Sequence, residues 1–457
     1  MFGALAPTLK KNLIWLALLG LISSLAACDR APEIGVARLD NGLTIYVIPH
    51  HRAPTVTHMV WYGVGGADDP EGHSGIAHLF EHLMFKSTTT RPDGDFSKII
   101  AAMGGQDNAM TMADLTVYFQ RVPKERLADV MALEADRMVN LTLSEEDFKT
   151  ERDVVIEERG QRVDSQPNAL AHEKIMDQLY AGHPYHRPVI GWREELESLP
   201  YEAATEFYKA HYAPDQAFLL VAGDTSLSEV VRLAKQYYGP LAPSGKKRAA
   251  RPTLDFAHST LSSEPLDFAD PRSQQYIWMR YYRLPPSVDL APRELAALTI
   301  GIDLLGGENT SLLYEKLVRG EGVAIATGSA LDTNMRDASE VSIYAIAHQR
   351  EGLTALDSQV DDIIAEAQKT LFSPEDIERS ANKLAASFVY EQDGQASLAF
   401  NYGLAIAFGG QPDEIANWPD YLHDVSPADV QTALATYLKA GHYVTGHIRP
   451  ADGDANE

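Results

Sequence analysis

Hydrophobic and polar positions alternate in blocks along this chain, and the blocks read as a repeating mixture of strands and helices. After the turn Leu39-Asp40-Asn41-Gly42, the runs Leu43 to Ile48 and Val56 to Tyr62 are short, β-branched and aromatic, and predict strands. Ala77, Leu79, Phe80, Leu83, Met84 and Phe85 then enclose three polar residues at helical spacing, which predicts a mostly buried helix. Beyond Gly104-Gly105, the residues Met110, Met112, Leu115, Val117 and Phe119 show no clean alternation, yet their composition favours a strand. Amphipathic helices follow around Leu127 to Met138 and Phe148 to Glu158, the second capped by Ser144. Ala217 to Val221, closed by Gly223-Asp224, reads as a strand.

The theme then recurs weakly. A polar, proline-containing stretch over 240–271, with Lys246-Lys247-Arg248 in its first half, reads as a linker. It is followed by a strand near Gln275 to Tyr282, a helix over Glu294 to Leu305, and Gly306-Gly307. This order predicts an α+β protein of two related halves: a leader over 1–27, a first domain over 28–239, a second over 272–450, and a disordered acidic tail over 451–457. The length of 457 residues agrees, because a single hydrophobic core does not grow to that size.

Composition narrows the function. The hydrophobic fraction of 45% is that of a globular protein, and the formal net charge is −25, which disfavours nucleic acid as a partner. The acidic excess reads equally well as solubility or as an acidic wall favouring basic or unfolded peptides. At the N-terminus, Lys10 and Lys11 precede the apolar run Leu13 to Leu19, and Leu25-Ala26-Ala27-Cys28 ends it, in the manner of a bacterial lipobox. The expectation is cleavage before Cys28, acylation of its thiol and anchoring to a membrane facing the periplasm of a bacterial envelope. An ordinary cleaved signal or an uncleaved anchor are the alternatives. Asp29 is a weak sign of inner-membrane retention. Cys28 is the single cysteine, so its acylation leaves none for a disulfide. No later stretch reaches the roughly 18 apolar residues that span a bilayer.

The strongest chemical signal is His78-Leu79-Phe80-Glu81-His82. Positions i, i+3 and i+4 share one helix face, so two imidazoles and a carboxylate converge where they can serve a zinc ion. The two histidines fit as ligands, and Glu81 as the base that takes a proton from an attacking water. A third ligand is needed, and Glu158 on the later acidic helix supplies it, with Glu151, seven residues earlier and nearly the same angle round the axis, orienting a histidine. In that reading Glu158 projects between Val154 and Val155 on the apolar side, while Glu146, Thr150, Asp153 and Glu157 face water. Taken without the histidines, the same helix would read as a solvated surface. His50, His51, His183, His186, His442 and His447 read as filler, and His73 as a loop residue near the site.

His78-Leu79-Phe80-Glu81-His82 with Glu158 76 residues after His82, the flanks Gly75-Ile76-Ala77 and Leu83-Met84-Phe85-Lys86-Ser87-Thr88, and the stretch Gly104-Gly105-Gln106-Asp107-Asn108-Ala109 resemble the insulinase/pitrilysin family of zinc metallopeptidases. The resemblance implies two homologous α+β domains enclosing a chamber, one zinc ion per chain, and hydrolysis of peptides or small unfolded polypeptides. It also implies an edge strand that pairs with substrate backbone, with Asn108 and Ala109 at its contact positions. One departure stands out. An Arg and a Tyr seven residues apart help many members hold substrate, and here Val318 and Ile325 occupy the matching places, with Arg319 adjacent. That predicts a heterodimer with a homologous chain lacking the zinc motif, with a homodimer as the competing arrangement. A non-catalytic assembly subunit and a peptide-binding or chaperone module are the rival functions.

Overall fold

The computed structural model describes residues 34–92, 94–257, 261 and 264–451; the leader, Cys28 and the tail over 452–457 lie outside the described residues. The first half contains β1 (Gly35–Arg38), β2 (Thr44–Pro49), β3 (Thr55–Tyr62), α1 (Ile76–Leu83), α2 (Phe96–Ala102), β4 (Gln106–Thr111), β5 (Thr116–Pro123), α3 (Leu127–Asn140), α4 (Glu145–Arg159), α5 (Pro167–Leu179), α6 (Tyr201–His211), β6 (Ala217–Gly223) and α7 (Leu227–Tyr237). The second contains β7 (Leu266–Asp270), β8 (Tyr276–Leu284), α8 (Pro292–Gly306), β9 (Ala324–Asp332), β10 (Ser339–Ala347), α9 (Arg350–Lys369), α10 (Pro374–Glu391), α11 (Gln395–Ala407), α12 (Pro427–Tyr437) and β11 (Tyr443–Pro450).

Duplication is written into the sheets. The first has strand order β1-β2-β6-β3-β5-β4 and the second β7-β11-β8-β10-β9. Setting β1 aside, the pairings correspond one for one: β2 and β7 run parallel to β6 and β11, and every other neighbour is antiparallel. The helices repeat with them. Ser144 caps α4 by accepting from the Asp147 amide, and Ser373 caps α10 by accepting from the Asp376 amide.

Each sheet needs two apolar faces covered, and the halves exchange helices to do it. One face of the first sheet packs against α1, α3, α6 and α7. Its other face, with Met59, Trp61, Val117 and Leu220, is covered by Leu398, Ala399 and Tyr402 of α11 from the second half. Reciprocally, Ala171, Ile175 and Leu179 of α5 cover Ile277, Met279, Val444 and Ile448 of the second sheet. Both crossings are close: a Cβ on Gly403 would lie 2.2 Å from the Trp61 ring, and one on Gly446 2.6 Å from Ile175.

Two sequence expectations need correction. The stretch 240–271 is not linker throughout, because β7 occupies 266–270 and pairs with β11. Its half-buried Leu266 and Phe268 alternate with exposed Asp267 and Ala269, a signal that the surrounding Asp and Pro residues dilute. On α4, Val154 is 45% exposed while Val155 is fully buried, so the inward stripe is Phe148, Val155 and Arg159 rather than the pair of valines. The irregular region after Gly104 is a hairpin, β4 and β5, whose phase changes at the turn over 112–115.

Candidate metal centre

Helix α1 is fixed at its start by Asp69, whose carboxylate accepts from the Gly75 amide at 2.7 Å and the Ala77 amide at 3.0 Å. Burial raises the Asp69 pKa well above the usual range, while these amide bonds oppose that shift. Gly75 adopts φ +88°, and a Cβ there would stand 2.6 Å from the Ile190 carbonyl, so the turn into the helix requires glycine. Leu79, Phe80 and Leu83 are fully buried and set the rotation of the helix. His78, Glu81 and His82 therefore point together toward α4 and the edge strand β4.

The second segment, α4, brings Glu158 beside the two histidines. His78 Nε2 lies 3.7 Å and His82 Nε2 3.5 Å from the same oxygen, Glu158 Oε2, and one donor atom from each residue falls within 4.8 Å of the others. Ligands held at about 2.0–2.1 Å round a tetrahedral zinc lie roughly 3.4 Å apart, so the donor set fits that ion with little adjustment. Glu151 Oε2 sits 3.2 Å from His82 Nδ1, which leaves Nε2 as the nitrogen free for coordination. Lys86 Nζ holds the other Glu151 oxygen at 2.5 Å. The hydrogen bond with His82 and the nearby Lys86 depress Glu151 to about 2, burial opposing them. The same Glu151 contact raises His82, whereas burial lowers His78 to about 4.

Glu81 is not in the ligand cluster. It faces a cleft lined by Phe85, Lys86, Asn108, Ala109 and Asp147 as well as His82 and Glu151. Burial raises its pKa, and its Oε2 accepts from Thr111 Oγ1 at 2.6 Å. Asn108 and Ala109 lie on β4, which pairs only with β5 among the described strands and so has a free edge beside this cleft. Sequence reasoning missed Thr111, Lys86 and Asp69 as supports, and also Arg162, which holds Glu158 Oε1 at 2.7 Å from one helical turn further on. The helical spacing of Glu158 and Arg162 was a readable signal; the contacts of Thr111 and Asp69 depend on the fold. Of the remaining histidines, His183 Nε2 lies 3.6 Å from Asp337 and His447 Nε2 3.1 Å from Asp357, and neither belongs to the donor cluster. His73 lies in the loop preceding α1.

The corresponding positions of the second half carry different residues. Registering α8 on α1 by their buried leucines, Leu305 and Leu83, sets Ile300, Asp303 and Leu304 against His78, Glu81 and His82. Registering the two Ser caps sets Ser380 against Glu151. There, Asp303 receives Ser380 Oγ at 2.5 Å and Lys383 Nζ at 2.5 Å. A lysine ammonium supplies the positive charge, and no second donor cluster occurs among the described residues.

Two related α+β halves, one bearing a cluster of two histidines and a carboxylate with a further carboxylate beside it, define a peptidase-like fold. The chain belongs to the insulinase family, peptidase family M16: that family's description matches residues 45–192, and that of the peptidase M16 inactive domain matches 198–384. It is 31% identical over 319 residues to an uncharacterized zinc protease of Mycobacterium leprae, covering 69% of this chain and 70% of that one. It is 27% identical to the zinc protease PqqE of Helicobacter pylori, across 94% of this chain and 95% of that protein. The crystal structure of a protease from Helicobacter pylori superposes with a TM-score of 0.83 at 24% identity, covering 92% of this chain and all of that one.

Proposed function

We propose that this chain is a zinc-dependent endopeptidase acting on peptides or small unfolded polypeptides. The observation that carries the reading is the convergence of His78, His82 and Glu158 on one point with Glu81 directed at the adjoining cleft. Zinc held by these three would lower the pKa of a bound water and polarise a peptide carbonyl. Glu81 accepts the proton of the attacking water and returns it to the departing amine, a role suited to a carboxylate whose affinity for protons is raised by burial. Thr111 holds Glu81 in place, and Glu151 holds the His82 ring so that Nε2 faces the ion. The free edge of β4, at Asn108 and Ala109, pairs an extended substrate by its backbone, which selects for unfolded chains rather than for a particular side chain.

The decisive experiment measures bound zinc and cleavage of a quenched peptide library, with and without chelator, for the native chain and Glu81→Gln. Retained metal with turnover lowered by about 10²–10⁴-fold in the variant is expected. Loss of metal in Glu81→Gln would make Glu81 a ligand, and a native chain that binds peptides without cutting them would turn the reading toward a chaperone module. A chain with neither metal nor activity would favour the assembly subunit. The remaining proposals follow from the sequence: acylation at Cys28 and a periplasm-facing lipid anchor, and pairing with a homologous subunit or a second copy. Among the described residues, no helix is long and apolar enough to cross a membrane. Val318 is half-buried and Ile325 is 54% exposed on edge strand β9, so neither offers the polar contact that the partner would contribute.

A further inference from the structure

We infer that Arg251, in the segment joining the halves, is a positioning residue for the Glu81–Thr111 contact. The inference rests on the peptidase reading for its kinetic consequence, and on geometry alone for its structural one.

Arg251 is nearly buried and reaches three carboxylates. Its Nη2 donates to Asp68 Oδ1 at 2.8 Å, and its Nη1 to Asp337 Oδ2 at 2.9 Å and to Asp114. Asp114 and Asp337 each stand two residues before a corresponding strand, β5 and β10, so the arginine bridges a pair of residues related by the duplication. Tyr185 joins the same pair: its hydroxyl donates to Asp114 Oδ2 at 2.7 Å and accepts from the Asp337 amide at 2.9 Å. The Arg336 amide also donates to Asp114 Oδ2, at 2.9 Å. Arg248 adds bonds to Asp68 Oδ2 at 2.6 Å and to the Asp114 carbonyl at 2.7 Å.

Two routes lead from this hub to the site. The first runs through the β4–β5 turn. Asp114 lies inside it, the Met112 amide donates to the Leu115 carbonyl at 2.8 Å to close it, and Thr111 is the last residue of β4 before it. The second runs through the loop ahead of α1. Asp68 is held by the arginines, and its neighbour Asp69 caps the helix that carries Glu81. The two routes are tied together by the Gly66 amide on the Met112 carbonyl at 3.0 Å and the Ala67 amide on the Ala113 carbonyl at 2.7 Å. Gly65 has no room to yield, since a Cβ there would sit 2.3 Å from the Met112 carbonyl. Both partners of the Glu81–Thr111 hydrogen bond are thus referred to Arg248 and Arg251, and of the two only Arg251 also reaches Asp337. Without it, the three carboxylates keep only Arg248, on Asp68, and Arg336, on Asp337, and the turn and the loop lose one of the two arginines that hold both. An ion pair serving only to dock the halves would leave the catalytic contact indifferent to it.

A double-mutant cycle in the full chain separates these possibilities. Arg251→Met and Thr111→Val are each expected to lower kcat on a quenched peptide by about 10-fold, the effect of roughly one positioning hydrogen bond, with KM nearly unchanged and bound zinc retained. The double variant is expected to lose little more than the more impaired single variant, because both act on one contact. Losses that multiply would overturn the inference. Amide exchange over Met112–Leu115, relative to remote β1 and β2, is expected to accelerate in Arg251→Met; exchange unchanged at that turn beside a lowered melting temperature would make the hub a docking contact only and overturn the inference as well. This readout needs no turnover, so an inactive native chain, which sinks the peptidase reading, still leaves the inference to stand or fall on exchange. Should Arg251→Met not fold, Arg251→Lys answers the same question: faster exchange at the turn, milder than for a full loss of charge, is expected, and native exchange overturns.

Discussion

The carboxylate of Glu151 does two jobs that the sequence could only half express. Its spacing from Glu158 marks both as members of one helix face, but nothing in the sequence says that Lys86 closes on its far oxygen, because that contact joins the segment just after α1 to the middle of α4. Replacing Glu151 with Gln is expected to weaken zinc binding by about 10–100-fold, read by competition with a fluorescent chelator. Protons compete for the same place. Glu151 raises the affinity of metal-free His82 for a proton, so the protonated ring, which cannot coordinate, persists to a higher pH than an ordinary histidine. Zinc affinity is therefore expected to fall as pH drops through that raised value, by about tenfold per unit, and Glu151→Gln should shift the fall to lower pH. His78, held low by burial, adds a loss only near about 4.

At the scale of elements, α1 was legible because burial and chemistry alternate within five residues, whereas β4 and β5 were blurred by the turn between them, where the inward phase resets. The helix exchange was hidden altogether: nothing in the residues of α5 or α11 says that each serves the other half's sheet, which only the fold shows. Gly403→Ala is expected to cost about 1–3 kcal/mol, since its Cβ would intrude on the Trp61 ring, and a urea titration measures it. In the second half, Lys383→Met leaves the largely buried Asp303 with only Ser380 as a side-chain donor, and a loss of about 1–3 kcal/mol is expected with zinc stoichiometry unchanged. Glu340 on β10 supplies a pH test. Burial raises it to about 8, with Asp332 adding to the shift and the Tyr180 hydroxyl, 3.3 Å away, opposing it. The folded state then binds a proton that the unfolded chain releases near its ordinary value of about 4.3, so stability is full below that value and declines as pH rises to about 8. Glu340→Gln should raise the melting temperature at pH 8 and leave it nearly unchanged at pH 4.

For the whole molecule, the two-half plan was readable from recurrence of strand, helix and glycine pair, and the family from a motif whose two parts lie far apart in sequence. The interior economy of the duplicate was not, because Ile300, Leu304 and Lys383 look like any core and surface residues until α8 and α10 are placed beside α1 and α4. The shared helices predict one unfolding transition: calorimetric and van't Hoff enthalpies should agree, and a fragment ending at 239 should aggregate, its sheet deprived of α11. The same trade of helices has a mechanical corollary. Prising the halves apart would strip the rear of both sheets and expose two greasy walls to water at once, a cost that opposes any opening between the halves of this chain.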